Sequence, residues 1–102
     1  MMPTLEECLL YLGIDYADDA VNANVSRCLS AAGALVRGAV GEDVQTYLPD
    51  SEKFKELVLL YMADLYDERN TTQKATAVNR RIIDYLEWQL KLELKQAKED
   101  AE

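Results

Sequence analysis

Apolar positions along the chain fall into four stretches of helical period, separated by polar or irregular joints. Thr4-Leu5-Glu6-Glu7 has the form of a capping box, in which the Thr4 hydroxyl and the Glu7 carboxylate each satisfy an N–H group that a helix start leaves unpaired. Leu5, Cys8, Leu9 and Leu12 recur at i, i+3, i+4 and i+7, and Gly13 supplies the stop, so a first helix is predicted over about residues 4–12. Asp15 to Asp19 offers several N-cap residues for a second helix over about 18–40. Its stripe is Val21, Val25, Cys28, Leu29, Ala32, Leu35, Val36 and Ala39. Ala31, Ala32, Gly33, Ala34 and Gly38 are small enough for close approach by another helix; on the alternative reading, Gly33 and Gly38 only weaken this one, by about 1 kcal/mol each relative to Ala. Residues 42–50, EDVQTYLPD, hold no period and contain Pro49, which predicts a loop with Val44, Tyr47 and Leu48 tucked inward.

A third helix is predicted over about 51–69, capped by Asp50 or Ser51, with Phe54, Leu57, Val58, Tyr61 and Leu65 on one stripe. At 100° per residue, Leu59, Met62 and Tyr66 form a second stripe roughly 120° away, as expected of a central helix. Asn70-Thr71-Thr72 breaks the pattern, and a long fourth helix is predicted over about 73–98 on Ile82, Ile83, Leu86, Leu90 and Leu94. The short break makes these two helices antiparallel neighbours. The other side of the fourth helix carries Tyr85, Trp88 and Leu92. No segment alternates convincingly as a strand, and neither repeats nor low-complexity tracts occur. The expected fold class is therefore all-α: one domain over residues 1–102, a small bundle of about four helices with a central apolar third helix and a long C-terminal one.

Composition sharpens this picture. Apolar residues are 49% and charged residues 29% of the chain, which fits a folded core and is too hydrophobic for disorder. The net charge of -8 argues against nucleic-acid binding by counterion release, which needs clustered Lys and Arg. Cys8 and Cys28 both lie on apolar stripes and read as buried free thiols of a reducing compartment. No apolar stretch reaches the roughly 18 residues of a membrane span, and the start MMPTLEE lacks a signal peptide's basic flank and apolar core, so no membrane role is expected.

The chemistry of catalysis is sparse. Histidine is absent, which excludes His-based acid/base work and catalytic triads, and two cysteines cannot complete a four-ligand structural zinc site. No phosphate-loop signature occurs. Glu6-Glu7, Asp18-Asp19 and Asp67-Glu68 sit at helix ends, where carboxylates cap helices or face solvent. No catalytic residue, metal ligand or cofactor is expected, and the chain does not read as an enzyme.

Excess apolar surface is the informative feature. If the third and fourth helices each show two stripes, one stripe of each is expected to meet another chain, making Leu59, Met62, Tyr66, Tyr85, Trp88 and Leu92 the candidate interface residues. The alternative is a monomer in which the third helix is wrapped by the other three. Asp64 is expected near Arg80 or Arg81 as an interhelical or intersubunit ion pair. Arg69 complements the dipole at the end of the third helix, and Asn70 suits its left-handed cap.

Three blocks together resemble a known family. PTLEECLLYLGIDYADDA is similar to the opening of the tailed-phage head-to-tail connector family, also called adaptor, head-completion or DNA-packaging proteins, which has the shape TLEE.K.YLRID..DDD. LVLLYMADLYDERNTT resembles the family's apolar helix closing on a YE.R ending, through Tyr66, Asp67, Glu68 and Arg69. VNRRIIDYLEWQL resembles its closing helix through Asn79, Ile82, Leu86, Gln89 and Leu90. The blocks span nearly the whole chain in family order. Cys8 stands where a longer, often charged or β-branched residue is usual, Gly13 stands where Arg is common, and VRGAVGEDV matches the family's glycine turn loosely.

The resemblance implies a structural virion protein: an all-helical protomer forming a ring of about a dozen copies below the portal protein at the capsid–tail junction, assembled in the host cytoplasm of a phage or prophage. Such a ring extends the DNA channel after packaging and presents a surface to the next head-completion or tail protein. DNA passes through without specific binding, and an acidic lumen would repel it. Two other classes are weighed beside it. A small intracellular helical adaptor or regulator would bind another protein as monomer or dimer; a carboxylate-metal enzyme would need clustered inward carboxylates, which the helical pattern does not give.

Overall fold

Residues 2–70 and 77–101 are described in the computed structural model, with side chains for 2–66 and 80–101. The order is α1 (Leu5–Leu12), α2 (Asp19–Val40), α3 (Val44–Tyr47), α4 (Glu52–Asn70) and α5 (Ala77–Ala101), with no strand among the described residues. The protein is all-α.

Local chemistry sets the boundaries. At the start of α1 the Glu7 N–H donates to Thr4 Oγ1 at 3.1 Å and the Thr4 N–H to Glu7 Oε1 at 2.8 Å, which completes the capping box. Gly13, at φ +75°, ends α1: its N–H reaches the Leu10 carbonyl at 3.1 Å while the Ile14 N–H reaches Leu9 at 2.9 Å, a Schellman closure. Asp18 is the cap chosen from the polar restart, accepting from the Val21 N–H at 2.9 Å. Ser51 Oγ accepts from the Phe54 N–H at 3.1 Å and opens α4.

One core joins the helices. Cys8, Val25, Ala32, Val36, Val44, Phe54, Leu57, Val58, Met62 and Leu90 are fully buried, and both cysteines are free thiols within this cluster. Helix α4 packs against α1, α2 and α5, with α2 its most extensive neighbour. Three neighbours cover two stripes, so Leu59 and Met62 are core residues at 8% and 0% exposure and not a free face. This corrects the expectation that they meet another chain. Tyr66 is half-buried against the same cluster.

Helices α4 and α5 run antiparallel: Lys53 at the start of α4 pairs with Glu93 late in α5, while Tyr61 further along donates to Glu87 nearer the start of α5. The expected break at Thr71–Thr72 and the start near Gln73 lie outside the described residues, as do the side chains of Asp67, Glu68, Arg69, Asn70 and Asn79.

The predicted loop 42–50 contains the single turn α3, too short for periodicity to reveal. Val44 is buried there as expected, whereas Tyr47 stays 38% exposed. Lys98 of α5 holds this turn from outside, bonding Asp43 Oδ2 at 2.9 Å and lying 5.9 Å from the centroid of the Tyr47 ring. Gly41 is required just before it. It adopts φ +154°, and a Cβ there would lie 2.7 Å from Leu94 Cδ2. Gly33 meets no helix; an added Cβ would lie 3.0 Å from the Met2 methyl, and Gly38 faces open space.

Candidate interaction surface

On α5, Ile83, Leu86, Leu90 and Leu94 turn toward the core, half-buried or buried. The residues on the opposite side follow from 100° per residue: Ile82, Tyr85, Trp88 and Leu92 recur at i, i+3, i+6 and i+10 and line up as one ridge. They are 42%, 58%, 58% and 49% exposed. Tyr85, Trp88 and Leu92 are thus where the sequence pattern placed them. Ile82 is not: assigned to the core stripe, it belongs to the exposed ridge, because at the edge of that stripe a small rotation of the helix decides its side.

The ridge is locally ordered. The Tyr85 and Trp88 rings lie 6.4 Å apart at a 32° tilt, and Gln89 Nε2 donates to the Tyr85 hydroxyl at 3.0 Å, holding that ring along the helix. Arg80, Arg81, Lys91 and Lys95 are exposed on α5, interspersed with exposed Asp84, Glu99 and Asp100 and with half-buried Glu87 and Glu93. None of the four forms an ion pair among the described residues. The pairs that do form there are Lys53–Glu93, Lys55–Glu7 and Lys98–Asp43.

Asp64 is exposed and joins neither Arg80 nor Arg81, contrary to expectation. The register set by Lys53–Glu93 and Tyr61–Glu87 places Asp64 across from about residues 82–84, and Asp64, Arg80 and Arg81 are all exposed to solvent instead of meeting between the helices. The expected role of Arg69 lies outside the described residues.

A second exposed apolar group sits at the other end of the sequence. Leu10 is 80%, Tyr11 42% and Tyr16 83% exposed, each off the apolar stripe that α1 turns to the core. Acidic residues surround them in sequence: Glu6 one turn before Leu10, then Asp15, Asp18 and Asp19. Glu56 of α4 faces the same region, since its charge, after the effect of burial, pushes the Tyr11 hydroxyl pKa up. The sequence signal was present in Leu10 and Tyr16, large apolar residues outside any stripe. Leu35, by contrast, is placed by periodicity on the α2 stripe and is 47% exposed instead, because it lies at the edge of the side that Val25, Ala32 and Val36 bury.

The remaining polar contacts are structural. Lys55 reaches Glu7 at 2.5 Å and ties α4 to α1; its hydrogen bond, followed by that of Thr4, holds the Glu7 carboxyl below the usual range. Glu7 in turn raises the Lys55 pKa. Asp43 is lowered first by its bond to Lys98. Burial, then the bond to Glu87, pushes the Tyr61 phenol up to about 12. Burial pushes the Cys8 thiol up as well. Among the described residues no three Cys, Asp or Glu side chains converge on a point where a metal ion would sit, and no helix is long and apolar enough to cross a membrane.

No family model, curated protein or solved structure matches the chain.

Proposed function

We propose that this chain is a subunit of a phage head-to-tail connector, a ring below the portal protein that extends the DNA channel and joins capsid to tail. The observation that carries the reading is the ridge Ile82, Tyr85, Trp88 and Leu92, on a helix whose other face already fills the core. A patch of this kind, aromatic and rimmed by charge, is what protein–protein contacts use. The sequence blocks that resemble the family fall on α1 with the start of α2, on α4, and on α5. In this reading the subunits meet side to side, the portal and the next head-completion or tail protein stack above and below, and the net charge of -8 keeps DNA from adhering to the channel. The role is structural, in the virion, without a cofactor.

Mixing the chain with portal rings and measuring native mass tests the reading. A complex carrying a ring of about a dozen copies supports it, and Trp88→Ala with Leu92→Asp abolishes that complex while far-UV circular dichroism stays unchanged. A chain that remains monomer or dimer with portal present sinks it and favours the helical adaptor instead.

A further inference from the structure

We draw no further inference here: the strongest candidate, the exposed apolar ridge Ile82, Tyr85, Trp88 and Leu92 on the outer side of α5, belongs to the contact already proposed, and nothing in the structure shows what covers it.

Discussion

Helices α4 and α5 look alike in sequence, each apolar on two sides, yet α4 buries both sides and α5 buries one. The stripes of α4 stand roughly 120° apart, an arc that α1, α2 and α5 together can cover. Those of α5 stand nearly opposite each other, and α5 lies at the border of the bundle. A second apolar stripe therefore indicates a partner only when no neighbour in the same chain can reach it. Angular separation decides this more than hydrophobicity does.

Breaking the inner member of the comparison gives the largest effects. Met62→Ala is expected to lower folding stability by about 2–5 kcal/mol, because Met62 is fully buried in the core cluster and its removal leaves a cavity. Urea denaturation measures this. A cost below roughly 1 kcal/mol would return Met62 to the surface.

Gly41→Ala comes next, at about 1–3 kcal/mol, since the new Cβ would meet Leu94 and the backbone would be strained at φ +154°. The loss tests whether α5 is held against the turn between α2 and α3. A neutral result would release that end of α5.

Alkaline titration probes the inner side of α5. Tyr61 is raised in the folded state to about 12 by burial and by Glu87, so its stabilising effect is complete below the ordinary tyrosine pKa near 10 and is lost as pH rises through 12. Tyr61→Phe is expected to flatten the decline in Tm across that window, leaving the part due to Lys55, whose raised pKa carries the same sign. At the acid end, the lowered Glu7 and Asp43 stabilise above the ordinary carboxylate range and stop doing so as pH falls through their folded values. These pairs are solvent-exposed, and the acid effect is small.

Trp88→Ala has the smallest effect on folding, within roughly 0.5–1 kcal/mol, because the side chain is 58% exposed. Set beside Met62→Ala, it separates the two helices: one substitution costs fold, the other costs association.

The helices themselves are legible because local chemistry writes their ends: the Thr4–Glu7 capping box and Gly13 act where the sequence places them, while Asp18 and Ser51 are the caps taken from candidates that the sequence leaves open. The stripes gave Cys8, Cys28, Phe54 and Leu57 to the core. Periodicity says which residues share a face but not how many neighbours that face has, and so Leu59 and Met62 were assigned outward. It also gives no interhelical register, which is why Asp64 was expected beside Arg80 or Arg81. Four residues of α3 were too few to carry a period. The exposure of Leu10, Tyr11 and Tyr16 is not written in the period, because these residues lie between the stripes.

Trp88 is the only tryptophan in the chain, so its fluorescence reports on the ridge without labelling. In dilute monomer its emission should lie at the red end and be quenched readily by acrylamide. As concentration rises or portal rings are added, the account predicts a blue shift with loss of quenching, in step with the growth in mass. Assembly that proceeds while Trp88 stays red-shifted and fully quenchable would contradict the claim that this face of α5 is where the protein meets its partner.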